Sequence, residues 1–142
     1  MPGPSDPRPK TRIILADDHA GVLEEIRKLL HREFDVVGSV GDGTALVQEG
    51  GRLRPDVVVT DIAMPGLNGI QAGKQLLEAN LCKAVLLLSV YIDPGIARFA
   101  FDAGIRGYVL KMTAGEELIA AIHEIAAGGT FYSAPLGIGS GG

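Results

Sequence analysis

Five short aliphatic runs alternate along the chain with five stretches of helical periodicity. The runs predict strands over Arg12–Ala16, 34–40, 56–60, Ala84–Ser89 and Gly107–Leu110. At Ile13 to Leu15, Val57 to Val59 and Val85 to Leu88 every position is apolar. A strand apolar on both faces belongs in a parallel sheet covered on each side, since a half-solvated strand would alternate. The run over 34–40 carries Asp35, Gly38 and Ser39 and is expected at an edge.

The intervening segments read as helices with recognisable ends. Val22, Ile26, Leu29 and Leu30 form an apolar stripe on the first. Asp42 is placed to cap the second and Asn68 the third, which continues through Ile70, Leu76 and Leu77. Asp93-Pro94 opens the fourth, with proline at its favoured first-turn position. Thr113 and Glu116 have the spacing of a capping box for the fifth, which Gly128-Gly129 ends. That helix carries Leu118, Ile119, Ile122 and Ile125, more apolar positions than one narrow stripe requires, so leftover apolar area is expected on it. Repeated β-α units with right-handed crossovers imply an α/β fold: a doubly wound five-stranded parallel sheet flanked by five helices.

Composition narrows this to one domain. A chain of 142 residues, 46% hydrophobic, can bury one good core and is short for two. Residues 1–11 read as a disordered leader, because Pro2, Pro4, Pro7 and Pro9 deny it regular hydrogen bonding. The packed domain is expected over 12–133, with the glycine-rich stretch 134–142 as a flexible tail or truncated linker. Thirteen basic against seventeen acidic residues, with no Lys/Arg cluster, argue against DNA binding by this chain itself. Cys82 is alone and reads as a small hydrophobe, which leaves no internal disulfide or thiolate metal site. No signal-peptide core opens the chain, and its longest apolar stretch is far below the ~20 residues a membrane helix needs. A soluble, cytoplasmic protein without a membrane partner is expected.

Chemistry enters at the strand ends. Asp17 and Asp18 follow the first strand, Asp61 the third, Ser89 ends the fourth and Lys111 follows the fifth. In an open parallel sheet the carboxyl ends of the strands line the ligand crevice, so these residues should converge. One of the adjacent acids could serve as a helix cap, but a pair immediately after a buried strand brings repulsion that a cap does not need. Carboxylates without thiols or a histidine cluster suit a hard cation such as Mg²⁺. A cation and a lysine together offset charge on a phosphoryl group, and a hydroxyl at Ser89 could donate to its oxygens. The combination points to phosphoryl chemistry on an aspartate. His19, His31 and His123 read as helix-surface residues outside this motif.

Four motifs occurring in order strengthen that reading. Ala16-Asp17-Asp18-His19, Thr60-Asp61-Ile62-Ala63-Met64-Pro65-Gly66, Leu88-Ser89-Val90-Tyr91 and Ala103 to Lys111 resemble the receiver domain of bacterial two-component response regulators. The resemblance runs from about Thr11 to Ser133. The last motif, with Ala127 to Ser133, is most similar to the NarL/FixJ subfamily, whose members carry a LuxR-type helix-turn-helix after the receiver. The resemblance implies a flavodoxin-like receiver fold with Asp61 as phospho-acceptor. It implies that Asp18 and Asp61 ligate Mg²⁺ directly, Asp17 mainly through water, and the backbone carbonyl of Ala63 completes the protein ligands. Lys111 would pair with phosphoryl oxygens, Ser89 would be the switch hydroxyl, and Tyr108 the aromatic that turns inward with it.

The implied partners are a sensor histidine kinase, a second copy of the chain in a weak homodimer formed on phosphorylation, and DNA only through an output domain beyond this chain. Such a protein is not an enzyme in its own right: it accepts a phosphoryl group and assists its hydrolysis. Met112 stands where many receivers have proline, and Ala63 and Tyr91 occupy positions that vary across the family. Three alternatives share parts of the pattern: a stand-alone receiver, an interaction module that is not phosphorylated, and an aspartate-nucleophile phosphatase of haloacid-dehalogenase type. The last places its acids as Asp-x-Asp and carries a cap insertion, whereas here they are adjacent and no such insertion exists.

Overall fold

The structure, a computed structural model, describes residues 9–138. In chain order the elements are β1 (Arg12–Ala16), α1 (Ala20–Leu30), β2 (Asp35–Val40), α2 (Gly43–Leu53), β3 (Val57–Thr60), α3 (Gly69–Glu78), β4 (Ala84–Ser89), α4 (Pro94–Asp102) and β5 (Gly107–Leu110). A 3-10 turn at Lys111–Thr113, then α5 (Ala114–Ala126), β6 (Phe131–Tyr132) and a second 3-10 turn at Ala134–Leu136 follow. All strands are parallel, in the order β2-β1-β3-β4-β5-β6. The first five positions of that order are the flavodoxin-like doubly wound arrangement, in which the chain reverses direction across the sheet between β1 and β3.

The alternation of the strands divides the core in two. Ile14, Val58, Val85, Leu87 and Tyr108 face one side with Leu46, Ile70, Leu76, Ala97 and Ala100 from α2, α3 and α4. Ile13, Leu15, Val57, Val59, Leu86, Leu88 and Val109 face the other, with Leu30 from α1 and Leu118, Ala121, Ile122 and Ile125 from α5. Each fully buried Leu, Ile or Val contributes about 1.5–3 kcal/mol of transfer free energy, so this double layer carries the fold. The edge position expected for 34–40 is where β2 lies. Three caps form as read from the sequence: Asp42 accepts from Ala45 N, Asn68 makes a capping box with Gln71, and Asp93 accepts from Gly95 N and Ile96 N.

Four expectations are corrected. The sheet has six strands rather than five, because β6 is a two-residue strand too short to show an alternation. The segment after Ser133 is not a free tail through its described part. Leu136 is fully buried and Ile138 packs on the same cluster, so the folded unit reaches residue 138. Of the expected leader, 9–11 carry no regular element, while residues 1–8, like 139–142 of the expected tail, lie outside the described residues. Thr113 makes no cap at the start of α5; its hydroxyl turns instead to Leu110 O and the Glu117 carboxylate. The apolar surplus on α5 is absorbed inward, since Leu118, Ile122 and Ile125 are buried and Ile119 is half-buried against them. Large exposed apolar side chains gather elsewhere, at Val90, Tyr91 and Ile92 before α4, Phe99 and Phe101 on it, and Met112 after β5.

Candidate functional site

The reversal between β1 and β3 places Asp17 and Asp61 beside each other. Each directly follows its strand, and the backbone ladder continues one step to hold them: Asp17 N donates to Val40 O at 3.1 Å and Asp61 N to Ala16 O at 2.9 Å. The loop after Asp61 turns tightly through Gly66, whose φ of +76° suits glycine, and returns so that Gly69 N donates to Ile62 O at 2.8 Å. A side chain at Gly69 would collide with the Asp61 carbonyl, so α3 can start this close to the acid only with glycine there. The Asp61 carboxylate is oriented by Ile62 N, which donates to Oδ1 at 2.7 Å. That leaves Oδ2 toward the crevice.

Lys111 closes the group. Its Nζ donates to Asp17 Oδ2 at 2.7 Å and to Asp61 Oδ2 at 3.2 Å, so one ammonium bridges both acids. Burial by itself would lower the Lys111 pKa, but the hydrogen bond to Asp17 and the charges of both acids outweigh it and hold the pKa above the ordinary value. For Asp17, burial pushes upward. The Lys111 hydrogen bond, the His19 backbone N–H and the His19 ring prevail, and the carboxyl is held below its usual range. Asp18 is more exposed, as expected of an acid that opens onto solvent.

Asp17, Asp18, His19 and Asp61 each present a ligand-capable atom, all within 4.8 Å of one another. The donor set is dominated by carboxylate oxygen, which fits a hard divalent cation of the Mg²⁺ type. Ala63 lies exposed two residues beyond Asp61, in the loop between β3 and α3. His19 is the member that sequence reasoning put elsewhere. Its ring is exposed, as a helix-surface residue should be, yet Nδ1 lies 3.1 Å from Asp17 Oδ1 and 3.0 Å from Asp18 Oδ1. Its position immediately after the two acids was the available signal.

Ser89 and Tyr108 lie on adjacent strands, fully buried, and meet at a third residue. Tyr91 N donates to Ser89 Oγ at 3.2 Å, and Tyr108 Oη donates to Tyr91 O at 2.8 Å. Burial raises the Tyr108 pKa; the Ser89 hydroxyl opposes this and the charges of Asp93 and Asp61 add to it. The phenol is therefore a neutral donor whose proton reports on the backbone of the β4–α4 loop.

The comparisons with known proteins agree with this geometry. Residues 13–123 match the family described as "Response regulator receiver domain". Transcriptional regulatory protein DegU of Brevibacillus brevis is 33% identical over 124 residues, covering 86% of this chain and 52% of that protein. A LuxR-family two-component response regulator from Aurantimonas sp. SI85-9A1 superposes with a TM-score of 0.84 at 32% identity, covering 89% of this chain and 92% of that one. The isolated receiver domain of RcsB from Salmonella enterica serovar Typhimurium, solved in the presence of the phosphomimetic BeF₃⁻, gives 0.81 at 32%, covering 89% and 96%.

The chain thus belongs to the response regulator receiver family of two-component systems, among regulators of the NarL/LuxR type. It spans about half to just under two-thirds of the length of the first curated relatives it matches.

Proposed function

We propose that Asp61 is the phospho-acceptor of a two-component relay, receiving a phosphoryl group from the phosphohistidine of a sensor histidine kinase. The observation that supports it is the convergence of Lys111 on Asp17 and Asp61 at 2.7 and 3.2 Å, with Asp18 alongside. A carboxylate oxygen of Asp61 forms the new bond to phosphorus while the donor's N–P bond breaks and its imidazole leaves, taking up a proton. The work required of the protein is positioning and charge compensation. Ile62 N fixes the carboxylate, Lys111 supplies a full positive charge to the incoming oxygens, and burial keeps both in register. Asp17, Asp18, Asp61 and the Ala63 carbonyl are the groups that would hold Mg²⁺, which supplies further charge compensation to the phosphoryl oxygens when bound.

Phosphorylation then biases the Ser89–Tyr91–Tyr108 contact. A phosphoryl group adds acceptor oxygens and negative charge, and a hydroxyl that moves to them frees the Tyr91 amide. The same contact holds the β4–α4 loop, so its rearrangement changes the face formed by α4. In the full-length regulator this face would control a LuxR-type helix-turn-helix output domain and hence transcription. Incubation with a small-molecule phosphodonor and Mg²⁺, followed by intact mass, tests the assignment. The wild-type chain gains one phosphoryl group and Asp61→Asn does not. Equal labelling of that variant in the same pocket would remove Asp61 from its role, and no labelling of wild type would favour a pure interaction module.

A further inference from the structure

We propose a second route out of the Asp61 pocket, running from Lys111 through Leu110, Ser133 and Glu117 to Phe131 and the segment that follows, which starts at Lys111 and not at the Ser89 hydroxyl. It rests on the phospho-acceptor reading of the site.

Leu110 directly precedes the lysine, and its buried N–H donates to Ser133 Oγ at 3.2 Å. The Ser133 hydroxyl donates in turn to Glu117 Oε1 at 2.6 Å. From the other end of the 3-10 turn Lys111–Thr113, Thr113 Oγ1 reaches the same oxygen at 2.7 Å. Thr113 Oγ1 also approaches Leu110 O at 3.2 Å, but one hydroxyl has one proton and the charged acceptor is the nearer. The turn carrying the lysine is therefore pinned at both ends to one carboxylate oxygen on α5.

Ser133 is only 1% exposed and joins that pin to the end of the folded unit, beside the pairing of Tyr132 with Tyr108. Its backbone N–H donates to Tyr108 O at 2.9 Å, Tyr132 Oη donates to Ile105 O at 2.7 Å, and Leu136 is buried just beyond. The Lys111 ammonium is shared between two carboxylates, and a phosphoryl group on Asp61 changes where it is most stable. A three-residue 3-10 turn has little slack, so displacement of Lys111 moves the Leu110 amide. A buried N–H without a partner is costly, and Ser133 follows it. Ser133 then carries the movement into β6 and the Ala134–Leu136 turn.

The test uses isotopically labelled protein of the full 142 residues, with Mg²⁺ and beryllofluoride as the phosphoryl mimic. In wild type, amide shifts change around Asp61, at Tyr108, at Leu110 and across 131–138. In Ser133→Ala the changes across 131–138 fall several-fold while those at Ser89 and Tyr108 persist. Ser133→Thr, which keeps the hydroxyl, restores them, and Glu117→Gln, which keeps the acceptor without its charge, weakens them. A full response across 131–138 in Ser133→Ala overturns the route, as does loss of the Tyr108 response in that variant. Silence of 131–138 in wild type, with Asp61 and Tyr108 responding, overturns the route alone. Silence everywhere, Asp61 included, overturns the phospho-acceptor reading as well.

Discussion

Lys111 Nζ lies 2.7 Å from Asp17 Oδ2, an ion pair that joins residues 94 positions apart across the sheet. Its sign in pH is fixed by the two shifts. Asp17 is held below 3.8, so its contribution to stability is present above that value and is lost as pH falls through the folded pKa. Lys111 is held above 10.5, so its contribution is present below that value and is lost as pH rises through the folded pKa. Lys111→Met leaves two buried carboxylates facing each other, and should cost about 3–5 kcal/mol at neutral pH. The variant should then gain stability on acidification toward pH 4, because protonating either acid relieves the repulsion. Urea denaturation across pH 4–7 checks this, and a variant whose stability runs parallel to wild type would show that the pair is not coupled.

On the proposed reading, Mg²⁺ would offer the same acids a stronger partner. At ten times its dissociation constant the ion should add about 1.4 kcal/mol by mass action, or roughly 4–6 °C in melting temperature for a domain of this size. Asp18→Asn should remove most of that increment, since Asp18 is the acid with no bond to Lys111 and the most solvent-facing of the three acids. Chelation with EDTA should return the wild type to its metal-free melting point. An undiminished Mg²⁺ shift in the variant would place the ion elsewhere.

The convergence of these residues was legible in the sequence because each sits at a strand end, where the parallel-sheet pattern brings them together. Asp17, Asp61 and Lys111 could be brought together from Ile13 to Leu15, Val57 to Val59 and the run ending at Leu110 alone. What the sequence hid were contacts between side chains of unremarkable type. Ser133, Thr113 and Glu117 share one oxygen, yet none has a periodicity or motif that says so, and the Thr113 spacing favoured a capping box. The sixth strand was missed for a similar reason: two residues cannot display a period of two. Its signal is tertiary, the pairing of Phe131 with Gly107 and Tyr132 with Tyr108.

Ser89→Ala should uncouple rather than disarm. The hydroxyl is buried and touches Tyr91, not Lys111 or Asp17, so phosphodonor labelling should change by less than tenfold. The response at Tyr108 should be lost, because nothing then draws on the Tyr91 amide when the site is filled. NMR shifts at Tyr108 that change alike in wild type and variant on adding Mg²⁺ and beryllofluoride would defeat this coupling.

Leu136→Ala measures how far the folded unit extends. Leu136 is fully buried in the cluster containing Ala97, Ala100 and Tyr108, so truncating it should cost about 2–5 kcal/mol. A free tail would give no change at all. Denaturant midpoints of the two proteins decide, with an unchanged slope showing that the loss lies in the native packing.

Association on phosphorylation is expected to be weak and to use the α4 side. The face made by α1 and α5 offers less, because Leu118, Ile122 and Ile125 point inward and Ile119 of α5 and Val22, Leu23, Ile26 and Leu29 of α1 are only partly exposed. Phe99 is 65% exposed on α4, and Val90 and Ile92 stand exposed in the loop that Tyr108 holds through Tyr91. Exposed apolar side chains that join into a patch mark docking surfaces, and closed two-fold pairs dominate self-association. On the proposed switch, the Tyr108–Tyr91 hydrogen bond would make this surface sensitive to the state of Asp61. Sedimentation velocity of the phosphorylated chain should therefore show a dimer fraction that Phe99→Glu abolishes and Ile119→Glu leaves intact. The reverse order of effects would move the contact to α1 and α5, and a strictly monomeric phosphorylated chain at high concentration would rule out both faces.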